Sequence, residues 1–185
     1  AISAVIALVL GIASAVLGKK ADSIITWLID LIMGIPHMLL LILISYACGK
    51  GLKGVIIGVA LTHWTSLARL IRGEVMQLRQ SEYILIAEKL GHSKFAIAKK
   101  HMLPHLLPQF LVGLVLLFPH AILHESSITF LGFGLSTEQP AIGIILSESM
   151  KYLITGKWWL AVFPGIMLVL TVVLFDRGGS ALRRI

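Results

Sequence analysis

The sequence predicts an all-α fold, a bundle of helices that crosses a membrane several times. Apolar residues make up 57% of the chain, charged residues only 14%, and the mean hydropathy is +0.94. Soluble domains carry about 25% charged residues, so this composition belongs in a bilayer. Five apolar runs are each close to the roughly 20 residues that a helix needs to cross the hydrocarbon. They cover residues 1–18, 24–48, 54–71, 106–124 and 158–175.

The connections between these runs differ in charge. Five crossings place successive connections on alternate sides, so residues 19–20, residues 69–100 and the C-terminal tail share one side. That side carries twelve Lys and Arg residues, including Arg183 and Arg184, and the other side carries four. Cytoplasmic connections are enriched in Lys and Arg, so the first side and the C-terminus are predicted to be cytoplasmic. The net charge of +7 then reflects topology, and no nucleic-acid partner is expected.

We expect one transmembrane domain over residues 1–185, surrounded by membrane lipid and carrying two conspicuous connections. The cytoplasmic connection covers about residues 78–103, and the outer connection covers about residues 125–157. Within the outer connection, residues 142–153 are too short and too polar for a span, which predicts a re-entrant or interfacial helix. The chain starts at Ala1 inside an apolar run, so we expect an N-terminally truncated domain.

The cytoplasmic connection has the pattern of two short helices. Gly91 offers a helix stop, and Ser93 is a plausible N-cap for the second helix. Such a segment either lies on the bilayer surface or docks on a partner. Before Gly91, apolar residues at i, i+3, i+4 and i+7 share one helical face: they are Tyr83, Ile86, Ala87 and Leu90.

This connection resembles the signature segment of permease subunits of ABC importers. That segment has a Glu-Ala-Ala triplet, a Gly four residues later, then Ile and Leu-Pro. Here the triplet reads Leu85-Ile86-Ala87, so its acidic residue is missing. The signature positions present are Ala87, Gly91, Ile97, Leu103 and Pro104. Further matches resemble the dipeptide, oligopeptide and nickel branch: Glu82, Tyr83, Ser93 and His101 nearby, and Asp22, Asp30, Pro36, Trp64, Arg69, Arg72, Glu125, Phe130, Gly132, Pro164, Gly165 and Arg183 elsewhere.

The resemblance implies the five-helix core of type I, MetI-like importers in a bacterial or archaeal inner membrane. It implies a second permease subunit, two cytoplasmic ABC ATPases and an external substrate-binding protein as partners. ATP and Mg would be held by the ATPases, because this chain lacks the Gly-x-x-x-x-Gly-Lys-Ser/Thr loop. We therefore expect no enzyme activity and no bound cofactor. The residues implied to couple to the ATPase are Glu82, Tyr83, Ile86, Ala87, Leu90, Gly91, Ile97, Leu103 and Pro104.

Four histidines form a candidate substrate path: His37, His63, His120 and His124. Ionisable groups at membrane depth are costly, so they are functional hypotheses by default. His120 and His124 are spaced i, i+4, about 6 Å apart on one helical face, where they could share a metal transiently. The other two could converge on the same path. Alternatively, each histidine bonds to a neighbouring helix.

Other functions remain open at this point. A passive channel would not need an amphipathic dock. An intramembrane metalloenzyme could use His120, His124 and Glu125, although His-Glu-x-x-His is absent. Glu125 is otherwise expected near the outer interface, paired with a basic residue. The resemblance implies a peptide, nickel or a metal chelate as the substrate, and the histidines favour a metal.

Overall fold

The structure, a computed structural model, describes residues 1–182; Arg183 and Arg184, counted above in the tail, lie outside the described residues. The described chain consists of helices joined by turns and loops, with no strand in that range, which confirms the all-α prediction. Its helices are α1 (Ile2–Val16), α2 (Lys19–Gly34), α3 (His37–Ala47), α4 (Gly51–Thr62), α5 (Trp64–Leu78), α6 (Glu82–Lys89), α7 (Lys94–Ile97), a π-helical turn (Ala98–Met102), α8 (Leu103–Phe130), α9 (Ile142–Leu153) and α10 (Trp159–Leu182).

Among residues 1–182, three helical stretches are long and apolar enough to cross a membrane: Gly51–Leu78, Lys94–Phe130 and Trp159–Leu182. The predicted span over residues 24–48 is wrong as one uninterrupted helix, because it is divided into α2 and α3. The break lies at Pro36, which has no N–H to donate and disfavours helical geometry at the residue before it. Together α2 and α3 would make a fourth span.

The first predicted span is also shorter than expected. Helix α1 has 15 residues and ends at Val16. The next turn places Gly18 at φ +101°, a left-handed conformation that ends the helix and that glycine adopts without steric cost. Five separate spans of full length are therefore not present in the described residues.

The helices group into two compact units. The first contains Ala1–Gly34 and His63–Leu114. Helix α1 packs along α5 in this unit, and Gly11 makes the close approach possible. A Cβ at Gly11 would lie 2.8 Å from Ile71 Cγ2 and 3.1 Å from the Ala68 carbonyl, so a larger residue would push the helices apart.

The second unit contains Ile35–Thr62 and the chain from Val115 onward. Helix α3 packs on α4, and α9 packs on α10. Leu41, Val55 and Ile128 form its buried core. The predicted helix over residues 142–153 is present as α9 with those bounds. Whether it is re-entrant or interfacial stays a prediction.

Candidate functional site

The segment over residues 78–103 contains the predicted helix, α6, and the predicted stop. The stop is a hydrogen-bonded turn of the Schellman type. The Gly91 N–H donates to the Glu88 carbonyl at 3.0 Å, and the His92 N–H donates to the Ala87 carbonyl at 3.2 Å. Gly91 has φ +83°, a value that costs other L-residues about 1–2 kcal/mol. The direction in which the chain leaves α6 therefore depends on this glycine.

The apolar face of α6 divides into two parts. Ile84 is 0% exposed and Ala87 is 6% exposed, so both are buried. Tyr83, Ile86 and Leu90 are 44%, 56% and 73% exposed, and we call these three residues the exposed apolar patch. Ala87, predicted to share a docking face with these three residues, is buried, and its role in coupling stays a prediction.

The second half of the segment leads directly into a long helix. Ser93 caps α7 as predicted, its hydroxyl accepting a hydrogen bond from the Ala96 N–H at 3.2 Å. Ile97 and Met102 are buried, with 1% and 2% exposure. Leu103 is half-buried and begins α8 beside the exposed Pro104. Lys94–Phe130 is thus one continuous helical stretch rather than a surface helix followed by a separate span.

Two ion pairs connect α2 to α5 inside the first unit. Asp22 binds Arg72 in a bidentate arrangement, with Nε–Oδ1 at 2.5 Å and Nη2–Oδ2 at 2.7 Å. Arg69 Nη2 donates a hydrogen bond to Asp30 Oδ1 at 2.5 Å. The sequence pattern alone did not predict these partners. The available signal was two Asp residues near one apolar run and two Arg residues near another.

The histidines of the candidate path are only partly brought together. The His37 and His124 rings, both in the second unit, have centroids 4.5 Å apart and planes tilted by 56°. His120 is exposed, and its Nδ1 lies 3.0 Å from the Leu116 carbonyl, to which it can donate. His63 is buried in the first unit, immediately before α5. Sharing of a metal by His120 and His124 stays a prediction.

Glu125 was expected to pair with a basic residue, but in the described residues it pairs with two hydroxyl groups instead. Its carboxylate accepts hydrogen bonds from the Thr129 hydroxyl at 2.8 Å and the Ser126 hydroxyl at 3.3 Å. Thr129 Oγ1 in turn accepts from the Leu135 N–H at 3.1 Å. The end of α8 and the turn after it are therefore held together by one polar network. Hydroxyl donors satisfy the carboxylate without a cation.

The turn after α8 is also attached to α3 and α4. The Ser45 hydroxyl donates to the Phe133 carbonyl at 2.7 Å, and the Gly51 N–H donates to the Gly134 carbonyl at 2.9 Å. Gly134 lies so close to Thr129 that no Cβ would fit there. These hydrogen bonds connect the ends of α3 and α8 with the start of α4 in the second unit.

Comparison with known proteins places these features in a family. The model of the binding-protein-dependent transport system inner membrane component matches residues 7–184. The chain is 32% identical over 166 residues to the dipeptide transport system permease protein DppC of Bacillus subtilis (strain 168), covering 90% of this chain and 52% of that protein.

Two other relatives are named for the transport of different substrates. The oligopeptide transport system permease protein OppC of Bacillus subtilis (strain 168) is 31% identical over 90% of this chain and 54% of its own length. The nickel transport system permease protein NikC of Escherichia coli (strain K12) is 30% identical over 95% of this chain and 63% of its own length. The chain thus spans roughly half to three fifths of these relatives. It belongs to the family of binding-protein-dependent transport system inner membrane components, and the relatives it resembles are named as permeases for dipeptides, oligopeptides and nickel.

Proposed function

We propose that this chain is the transmembrane permease subunit of an ATP-driven importer for peptides or for nickel and metal chelates. It would work in the inner membrane with its C-terminus in the cytoplasm, beside a second permease subunit. An external binding protein would deliver the substrate, and two cytoplasmic ATPases, which hold ATP and Mg, would supply the energy. The observation that carries this proposal is the exposed apolar patch on α6, formed by Tyr83, Ile86 and Leu90.

The patch is suited to dock in a groove of an ATPase subunit. A short helix with apolar anchors at i, i+3 and i+7 is a common way for one protein to fill a groove on another. Ile84 and Ala87, which belong to α6, are buried and attach the helix to the rest of the subunit. The helix therefore presents its exposed apolar residues without needing to fold when the partner binds. Glu82 and Lys89 flank the patch as exposed charges that can set its orientation.

The same segment offers a route from the dock to the membrane. Movement of α6 is passed to α7 through the turn at Gly91, and Lys94–Phe130 is continuous beyond that turn. Ile97 and Met102 are buried, so the start of this stretch moves with its packing partners. A tilt imposed on α6 by ATPase closure would thus reach a membrane-length helix.

The proposal is tested with the complete transporter reconstituted in proteoliposomes. A Tyr83→Ser, Ile86→Ser and Leu90→Ser triple variant should lose ATP-coupled uptake and substrate-stimulated ATP hydrolysis by about tenfold or more, as expected when central anchors of an interface are removed. The ATPase subunits should also fail to copurify with the triple variant.

Leu85→Ser is the matched control for this experiment. Leu85 is 44% exposed, as Tyr83 is, but at 100° per residue it lies on a different side of α6. It should leave uptake and copurification unchanged. Wild-type uptake and ATPase copurification by the triple variant would contradict the proposal and favour a surface-lying helix.

A further inference from the structure

We infer that His37 and His124 together form a weak site for a divalent transition-metal ion on the substrate path. The inference rests on the proposed transport function and narrows its cargo to a metal ion or a metal chelate with open coordination positions. The structure points to this pair rather than to the His120 and His124 pair that the i, i+4 spacing indicated. The two ring centroids lie 4.5 Å apart.

The geometry of the pair is close to that of two ligands on one metal. Each ring offers a nitrogen, and these nitrogens lie within 4.8 Å of each other. Two metal–nitrogen bonds of about 2.1 Å place their nitrogens roughly 3–4 Å apart. A small rotation of one imidazole therefore brings both nitrogens into the coordination sphere. Pro36 restricts the backbone at the start of α3, so His37 needs little further ordering to bind.

The position of the pair also favours a role in transport. His37 begins α3 in the second part of the broken α2–α3 segment, and His124 lies in the membrane-length stretch Lys94–Phe130. Polar groups at such positions are costly in lipid and commonly mark ion pathways. Two such groups in contact on different helices are harder to explain as separate packing contacts.

A site with two histidine ligands is better suited to passing a metal ion on than to holding it permanently. Imidazole is a good ligand for nickel, cobalt, copper and zinc. Structural metal sites close their coordination with four protein ligands, whereas two imidazoles leave the remaining positions to water or to a chelator. A site on a transport path must bind strongly enough to admit its substrate and weakly enough to release it. The pair meets this requirement for a metal.

The test measures metal binding directly, by cobalt absorption spectroscopy and calorimetry on the complete transporter in nanodiscs. His37→Ala and His124→Ala should each weaken Co²⁺ binding by at least about tenfold, since even loss of a residue that supports a ligand costs tenfold or more. His105→Ala is the control, because that side chain is exposed, and this variant should bind Co²⁺ as the wild type does. His120→Ala distinguishes this site from the His120 and His124 pair, because our inference requires a smaller loss of Co²⁺ binding in that variant than in His37→Ala.

A further variant distinguishes the loss of a metal ligand from a loss of folding. His37→Cys keeps a metal ligand at the same place, so it should retain Co²⁺ binding and gain a thiolate-to-cobalt charge-transfer band. Wild-type affinity in both alanine variants, or an equal loss in His120→Ala, would overturn the inference. Uptake and ATPase copurification in the patch variants are measured separately, so failure of the metal site and failure of the permease proposal give different results.

Discussion

The ion pair between Asp22 and Arg72 should contribute more stability than the pair between Asp30 and Arg69. The two pairs join the same helices but differ in exposure. The Arg72 and Asp22 side chains are 28% and 24% exposed, whereas those of Arg69 and Asp30 are 51% and 60% exposed. Water screens the second pair much more, and the first pair also has bidentate geometry, which strengthens a charged hydrogen bond.

The magnitudes follow from these exposures. Exposed pairs are worth roughly 0–1 kcal/mol, and breaking a buried pair costs about 3–5 kcal/mol. Asp22→Asn should therefore lower the free energy of unfolding by about 2 kcal/mol, because this pair lies between the two limits. Asp30→Asn should lower it by no more than about 1 kcal/mol. Neither change alters the volume of the side chain appreciably, so packing is a minor contribution to both.

The assay is reversible unfolding of the purified subunit in mixed micelles, in a double-mutant cycle with Arg72→Met and Arg69→Met. The cycle separates the coupling between the partners from the effect of losing each charge alone. We expect a larger coupling for Asp22 with Arg72 than for Asp30 with Arg69. Equal couplings, or a larger one for the exposed pair, would refute the argument from exposure and bidentate geometry.

Three further predictions concern the α6 segment and the network at the end of α8. Gly91→Ala should lower the free energy of unfolding by about 1 kcal/mol, because alanine is strained at φ +83°, and it should speed proteolysis after α6. Ile84→Ala should destabilise the subunit by about 2–4 kcal/mol, whereas the same change at the exposed Ile86 should leave stability within about 0.5 kcal/mol; chemical unfolding measures both. Thr129→Val should lower the free energy of unfolding by about 1–3 kcal/mol, because it removes a hydrogen-bond donor to Glu125. Thr129→Ser keeps the hydroxyl, so it should retain most of the wild-type stability in thermal unfolding.

Local features of the fold could be predicted well from the sequence. The stop at Gly91 and the cap at Ser93 depend on hydrogen bonds between residues at most five positions apart. Such bonds form whatever the rest of the chain does. Pro36 is also a local signal, yet averaging hydropathy over residues 24–48 concealed the helix break that this proline causes.

The sequence was a poorer guide to which residues form the candidate sites. Periodicity correctly placed Tyr83, Ile86, Ala87 and Leu90 on adjoining positions of a helix. It could not indicate that Ala87 packs inside the subunit while its three neighbours remain exposed. An amphipathic pattern reports only that a face is apolar, and both an internal and an external partner satisfy it.

By itself, the sequence determined the membrane class, the family and the local helix signals, because composition, residue spacing and caps act over short distances along the chain. The tertiary structure alone decided which groups meet across long separations. Asp22 and Arg72 are 50 residues apart in sequence, and the pairing of His37 with His124 joins two helices that nothing in their local sequences brings together. Those contacts depend on how apolar helix faces pack in three dimensions, and packing assigns each polar side chain its neighbour only after the helices have formed.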